Sequence, residues 1–230
     1  MPAKADTVFL FDVDNTLLDN DRFQTDLSAH LVEALGQDAC EIYWAIFEAM
    51  RAEQGYADYL GAVERLRLAR PHDPRMLRIA GWLLDYPYHM RIYPKALDVV
   101  HAARRHGVTA ILSDGDAVLQ PHKIAKSGLG PTVGDNVLVY VHKELELADV
   151  EKHLPARHYV LVDDKMRILD AVKSQWGDMV TTVFPRQGQY ATDPALAEGL
   201  RPADITVEHI AALLDHDLGS IAIRDSGDAR

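Results

Sequence analysis

The sequence has little cysteine, few basic residues and no long apolar run, and each shortage excludes a class of protein. Its 230 residues include one cysteine, Cys40, which rules out a disulfide within the chain and is typical of a reducing compartment. The 24 lysines and arginines are outnumbered by 35 acidic residues, so no broad surface for nucleic acid or anionic membranes is expected. No run approaches the roughly 18 apolar residues of a membrane-spanning helix, and the start MPAKADT has no apolar signal region. These features predict a cytoplasmic protein that binds neither nucleic acid nor membranes.

What is present indicates an α/β protein. With 48% hydrophobic and 26% charged residues, the composition is that of a globular chain. Short apolar, β-branched runs alternate with segments of helix length, a pattern typical of parallel strands that crossover helices bury on both faces. The simplest fold is an open, Rossmann-like parallel sheet. Five runs are predicted as strands: TVFLFDV at 7–13, VTAILSD at 108–114, NVLVYV at 136–141, HYVLVDD at 158–164 and MVTTVF at 179–184.

A long segment between the first two predicted strands is helical in pattern. Tyr43, Ile46, Phe47 and Met50 recur at i, i+3, i+4 and i+7 and so lie on one apolar face of a helix. We predict an α/β core domain interrupted by an inserted helical cap, with the core formed by residues 1–19 and 91–230 and the cap by residues 20–90.

Acidic residues stand where the predicted strands stop. Asp12 lies near the end of the first run, Asp114 ends the second, and Asp163 and Asp164 end the fourth. The carboxyl ends of parallel strands meet at one edge of a sheet, so these acids should converge. Converging carboxylates repel one another unless they share a cation, and oxygen ligands favour Mg²⁺. Any one of these acids alone has an alternative explanation as a turn residue or helix cap.

These motifs together resemble those of the haloacid dehalogenase superfamily of hydrolases, whose phosphatase members carry hydrophobic-Asp-x-Asp-x-Thr after the first strand. The resemblance covers most of the chain. It rests on four motifs in order: Asp12-Val13-Asp14-Asn15-Thr16, Ser113-Asp114-Gly115, a lysine at Lys143, and Val162-Asp163-Asp164.

The resemblance implies a two-step phosphoryl transfer. A carboxylate nucleophile divides the hydrolysis of an inert phosphate ester into two displacements, and Asp12 is implied as that nucleophile. Asp14 is implied as the acid that protonates the leaving alkoxide and then as the base that activates water. Mg²⁺ would be held by Asp12, by the backbone carbonyl of Asp14, and by one or both of Asp163 and Asp164.

Further residues are implied to bind the phosphate. Ser113 would donate its hydroxyl to a phosphate oxygen, with help from backbone N–H groups near Asp114 and Gly115. Lys143 would neutralise the phosphate and pair with the acids. It lacks the proline that often follows this lysine, so Lys123 and Lys126 remain alternatives.

The inserted helices are expected to act as a lid that excludes water and selects the substrate. Trp44 and Arg51 lie off the apolar stripe and are candidates to face the crevice, with a surface position as the alternative. Arg186, in FPRQGQYA at 184–191, follows the last predicted strand and is the candidate substrate-binding residue on the rim.

We therefore predict a Mg²⁺-dependent hydrolase of small phosphate monoesters that acts on a small phosphorylated metabolite. A phosphomutase would keep the same nucleophile and acid but would return the phosphoryl group to its product. A haloacid dehalogenase would not need Asp14, because a halide leaves without a proton. A non-catalytic binding protein of the same fold would be expected to lack one of the motif residues, and all are present.

Overall fold

The five apolar runs of the sequence are strands of one parallel sheet. The structure is a computed structural model that describes residues 4–134 and 136–222. The strands occur in the order β3-β2-β1-β4-β5-β6, and every neighbouring pair is parallel. The predicted open α/β sheet is thus confirmed. The strands are β1 (Ala5–Phe11), β2 (Val108–Asp114), β3 (Val137–Tyr140), β4 (Ala156–Val162), β5 (Val180–Pro185) and β6 (Ile205–Val207).

Strand β1 shows why the runs are apolar rather than alternating. Phe9 and Phe11 belong to one buried apolar cluster, and Val8 and Leu10 belong to a second. Successive side chains of a strand point to opposite faces, so both faces of the central sheet are covered. A strand buried on both sides needs apolar residues at every position.

The segment between β1 and β2 is helical, as its periodicity predicts. Tyr43, Phe47 and Met50 are buried on one face of its second helix. The first helix begins at Asp19, whose side chain accepts a hydrogen bond from the N–H of Arg22 at 2.9 Å. The division of the chain into a core and a cap at residues 20 and 90 stays a prediction. These helices are α1 (Asn20–Leu35), α2 (Gln37–Gln54), α3 (Tyr59–Leu68) and α4 (Arg75–Asp85).

Shorter helices connect the remaining strands and cover both faces of the sheet. Within the described ranges, no helix is long and apolar enough to cross a membrane. The connecting helices are α5 (Ala96–Ala103), α6 (Leu119–Ser127), α7 (Leu129–Val133), α8 (Leu147–His153), α9 (Met166–Trp176), α10 (Gly188–Thr192) and α11 (Leu218–Ala222).

Strand β6 was not expected from the sequence, because three residues are too few to show a periodicity. Asp204, just before β6, explains its position. The Oδ2 atom of Asp204 accepts hydrogen bonds from Lys173 Nζ at 2.8 Å, the Thr182 N–H at 2.9 Å and the Thr182 hydroxyl at 3.0 Å. This carboxylate therefore ties the start of β6 to β5 and α9.

We expect Asp204→Asn to lower the free energy of unfolding by about 2 kcal/mol at neutral pH. Burial alone would raise the pKa of Asp204, but the hydrogen bonds from Lys173 and Thr182 lower it from 3.8 to about 2. Because the folded-state pKa is the lower one, this stabilisation is present above about pH 4 and is lost as the pH falls through about 2. Urea unfolding at pH 7 and pH 3 should show the difference between variant and wild type shrink by roughly half. An equal difference at both pH values would mean that the charge of Asp204 is not its source.

Candidate active site

The sheet brings acidic residues from three distant segments to one edge. β1 lies between β2 and β4, and Phe11 is in register with Val162. The residues that follow these strands are therefore neighbours in space, as expected for the carboxyl ends of parallel strands. The acids concerned are Asp12 after β1, Asp114 at the end of β2, and Asp163 and Asp164 after β4.

Asp12 is buried and surrounded by hydrogen-bond donors. Lys143 Nζ lies 2.6 Å from Oδ1 of Asp12, and the Ser113 hydroxyl lies 3.4 Å from the same atom. The Thr16 hydroxyl donates to the other oxygen at 3.3 Å. Burial alone would raise the pKa of Asp12, but the charges of Lys143 and Lys165 outweigh it and hold that pKa below its usual value. Asp12 is therefore an ionised carboxylate, the form that a nucleophile requires.

Lys143 lies between the acids of β1 and β4. Its side chain is fully buried, and Nζ is 2.6 Å from oxygens of both Asp12 and Asp163. Its backbone N–H donates to Oδ1 of Asp114 at 2.8 Å, which ties the residue to the end of β2. Burial by itself would lower the pKa of Lys143, but the three surrounding carboxylates raise it well above the usual value. Of the alternative lysines, Lys126 is exposed.

Three of the acids form a cluster suited to a cation. One carboxylate oxygen from each of Asp12, Asp163 and Asp164 lies within 4.8 Å of the others. Neither oxygen of Asp164 has a hydrogen-bond partner among the described residues, although both are buried. Burial raises the pKa of Asp163 to about 6 and raises that of Asp164 well above its usual value. Buried carboxylate oxygens without donors are costly unless a cation binds them, so the donor set fits Mg²⁺.

Asp14 is not part of this cluster and pairs with a buried lysine. Lys123 Nζ donates to both carboxylate oxygens of Asp14, at 2.8 and 2.9 Å, and to Oδ1 of Asn20 at 3.2 Å. The ammonium group also lies over the rings of Phe23 and Tyr59, 5.4 and 5.6 Å from their centroids. Lys123 therefore holds the carboxylate of Asp14 in one position. The sequence suggested Lys123 only as an alternative to Lys143.

The Ser113-Asp114-Gly115 motif is placed beside Asp12, with one correction. The Ser113 hydroxyl accepts a hydrogen bond from Gln120 Nε2 at 2.9 Å, which orients its own hydrogen. The Gly115 N–H was expected to help bind phosphate, but it donates to the carbonyl of Tyr140 at 2.9 Å. The glycine is needed for a different reason, because a Cβ there would lie 2.6 Å from the side chain of Gln120.

A cavity of about 340 Å³ opens beside these residues. Asp14, Asp114 and Lys165 line it from the core. Burial would lower the pKa of Lys165, but the charges of Asp12 and Asp164 raise it. Tyr59 contributes to the wall from α3. Asp14, Asp114 and the inserted helices thus line one cavity, whereas Asp12 is buried behind the wall and is not among its lining residues.

Of the three candidate residues outside the motifs, one lines the cavity and two do not. Arg51 lines the cavity, whereas Trp44 does not and instead donates its indole N–H to the hydroxyl of Ser28 at 2.9 Å. Arg186 is exposed and forms an ion pair with Glu208 at 3.3 Å. The structure therefore places Arg186 outside the cavity wall. Tyr190, four residues later, lines the cavity in its place.

Comparison with known families identifies the family of the chain. A family model described as a haloacid dehalogenase-like hydrolase matches residues 7–174. None of the curated proteins matches this chain.

Solved structures with the same fold include one of high sequence similarity. A haloacid dehalogenase-like hydrolase from Burkholderia xenovorans is 54% identical, with a TM-score of 0.88 over 92% of this chain and 96% of that chain. An L-2-haloacid dehalogenase from Xanthobacter autotrophicus is 19% identical, with a TM-score of 0.61 over 90% and 96% of the two chains. The HAD-hydrolase YfnB from Bacillus subtilis, bound to magnesium, is 15% identical, with a TM-score of 0.62 over 91% and 97%. The last two similarities establish the fold alone.

Proposed function

Because the chain belongs to the haloacid dehalogenase-like hydrolase family, we propose that it hydrolyses small phosphate monoesters with Asp12 as the nucleophile. The observation that carries the proposal is the pair of separately placed acids. Asp12 is buried beside Lys143 and Ser113, whereas Asp14 is held by Lys123 on the wall of the cavity. Two carboxylates in different environments suit two different chemical roles.

In the first step Asp12 attacks phosphorus and forms an aspartyl-phosphate. Its ionised state supports this role, since a protonated carboxyl is a poor nucleophile. Lys143 and the Ser113 hydroxyl lie on Oδ1 of Asp12, where they can also donate to oxygens of the phosphoryl group. Charge that develops on those oxygens is thereby neutralised.

Asp14 transfers the protons. It protonates the leaving alkoxide in the first step and takes a proton from water in the second. Lys123 donates to both of its oxygens and holds the carboxylate on the cavity wall. The proton that Asp14 takes from water in the second step is the one that it gives to the alkoxide of the next substrate.

Mg²⁺ would be bound by Asp12, by the carbonyl of Asp14, and by one or both of Asp163 and Asp164. When bound, it would supply positive charge for the transferring phosphoryl group. The partnerless oxygens of Asp164 support its inclusion. Without a bound cation, both oxygens of Asp164 would be buried with no hydrogen-bond partner.

Halide displacement is the second candidate, since an L-2-haloacid dehalogenase shares the fold. A halide leaves without a proton, so that reaction gives Asp14 no task. It also forms no polyanionic transition state that would need a metal. The presence of Asp14 on the cavity wall therefore favours hydrolysis of a phosphate ester over halide displacement.

A substrate panel tests the proposal. Purified protein should release phosphate from at least one phosphate monoester in the presence of Mg²⁺, and should release no halide from 2-haloacids. We expect chelation of Mg²⁺ to lower phosphate release by at least about tenfold, because the charge on the phosphoryl group would then be met by lysines alone. Halide release without phosphate release would instead support the dehalogenase.

Metal binding can be followed without activity. Mg²⁺ at saturating concentration should raise the thermal stability of the wild type by about 1–3 kcal/mol. The same addition should stabilise Asp164→Asn much less. An equal shift in both proteins would leave Asp163 as the ligand from this motif, and an equal shift in the double variant Asp163→Asn, Asp164→Asn would place the metal elsewhere.

A further inference from the structure

The cavity wall contributed by the inserted helices carries an arginine that the proposed chemistry does not use. Arg51 lies in the last turn of α2, and its Nη1 atom donates to the hydroxyl of Tyr190 at 2.6 Å. Both residues line the cavity, together with Tyr56 from the turn after α2. This wall therefore presents a guanidinium and two phenol hydroxyls to whatever occupies the cavity.

The other two cations of the wall interact with buried acids of the core. The charges of Asp12 and Asp164 act on Lys165, although neither acid accepts a hydrogen bond from its ammonium group. Arg167 donates to the carboxylate of Glu144 at 2.6 Å, and Glu144 is buried. These two cations therefore serve carboxylates that the fold already provides.

Arg51 differs because its acidic partner is on the surface. Its Nη2 atom is 3.0 Å from Glu48, and the two side chains are 38% and 55% exposed. An ion pair at such exposure contributes little stability, so exchanging Glu48 for an anion in the cavity costs little. The guanidinium is therefore available to a ligand.

The two acids on the wall are already hydrogen-bonded to groups of the core. Both oxygens of Asp14 accept hydrogen bonds from Lys123, and Oδ1 of Asp114 accepts one from the Lys143 N–H. Two cations contact Tyr190, since Arg51 donates to its hydroxyl and Lys165 Nζ lies 5.5 Å from the centroid of its ring. An anionic group would be attracted to this part of the cavity.

We propose that Arg51 and Tyr190 bind a second anionic group of the substrate. The inference rests on the proposed phosphatase function and narrows its substrate class. The preferred substrate is a small phosphate monoester whose alcohol part carries an acidic group. A guanidinium group beside a hydroxyl can bind a carboxylate or a second phosphate with the same hydrogen-bond donors. The proposed substrate class therefore includes esters with either of these two acidic groups.

Three esters of similar length separate the possibilities. They are 2-hydroxyethyl phosphate, which has a neutral tail, carboxymethyl phosphate, and ethane-1,2-diyl bisphosphate. With Mg²⁺ present, kcat/KM of the wild type should be at least about tenfold higher for one of the two anionic esters than for the neutral ester. The anionic ester with the higher kcat/KM shows whether the subsite prefers a carboxylate or a second phosphate.

Arg51→Met should remove that preference. We expect kcat/KM for the preferred anionic ester to fall about tenfold to hundredfold, mainly through KM, and the value for the neutral ester to stay within about threefold. Arg67→Met is the matched control, because Arg67 also lies in a cap helix and pairs with an exposed glutamate three residues earlier at 3.1 Å. It should leave all three values unchanged. Tyr190→Phe should produce a smaller loss in the same direction.

Two outcomes would overturn the inference while leaving the phosphatase intact. One is a wild type that prefers the neutral ester, and the other is an equal loss on all three esters in Arg51→Met. A wild type that hydrolyses none of the wider phosphate panel would instead overturn the proposed function. In that case, isothermal titration calorimetry with the two anionic esters tests the anion subsite separately. Equal affinities of wild type and Arg51→Met would overturn the subsite.

Discussion

Asp12→Asn should reduce phosphate release by at least about 10³-fold while the protein remains folded. An amide is a far weaker nucleophile than a carboxylate, and it cannot form the ion pair that Lys143 makes with Asp12 at 2.6 Å. Steady-state kinetics on the best ester of the panel measures the loss. Mass spectrometry after acid quench should find a phosphoryl group on the Asp12 peptide of the wild type and none on that of the variant.

Strand β1 supplies the control for this substitution. Asp6 lies near the opposite end of the same strand, has a side chain that is 90% exposed and pairs loosely with Arg157 at 3.6 Å. Asp6→Asn should keep activity within about twofold, because exposed ion pairs contribute little. Circular dichroism of both variants should match the wild type. Activity of Asp12→Asn above one tenth of that control would contradict the nucleophile assignment.

The sheet and the meeting of the acids follow from patterns that are local in the sequence. Each of the five longer strands coincides with an apolar, β-branched run of the sequence, and Asp12, Asp114 and Asp163 directly follow or end one of them. Parallel strands end at one edge, so convergence follows from the fold class alone. Strand β6 has three residues and depends on Asp204, whose partners are remote in sequence.

The residues that form the cavity walls were harder to predict, because their positions depend on side-chain contacts between segments that are far apart in the sequence. Lys123 meets Asp14 across 109 residues and Arg51 meets Tyr190 across 139, and no local pattern indicates either pair. Arg186 was expected on the rim because it follows β5, but its side chain turns to Glu208. The loop after β5 does reach the cavity as predicted, but the residue that lines the cavity is Tyr190 and not Arg186.

Asp14→Asn should separate two classes of ester. Nitrophenolate leaves with little help, whereas an alkoxide needs a proton. We expect single-turnover formation of the phosphoryl enzyme to slow by about 10²- to 10⁴-fold for an alkyl phosphate, and by less than about tenfold for nitrophenyl phosphate. Single turnover is necessary because Asp14 also serves the hydrolysis of the intermediate, and a slow second step would hide the difference at steady state.

The controls distinguish an acid from a structural residue. Asp19 caps α1 by accepting the N–H of Arg22, and Asp19→Asn should slow both esters equally or not at all. Asp14→Asn leaves the buried ammonium of Lys123 without its carboxylate, which is destabilising in itself. The double variant Asp14→Asn with Lys123→Met removes both charges and should recover stability, but not the rate on the alkyl ester. If the alkyl and aryl esters lose rate equally in a folded Asp14→Asn, or if the double variant regains the alkyl rate, Asp14 is not the proton donor.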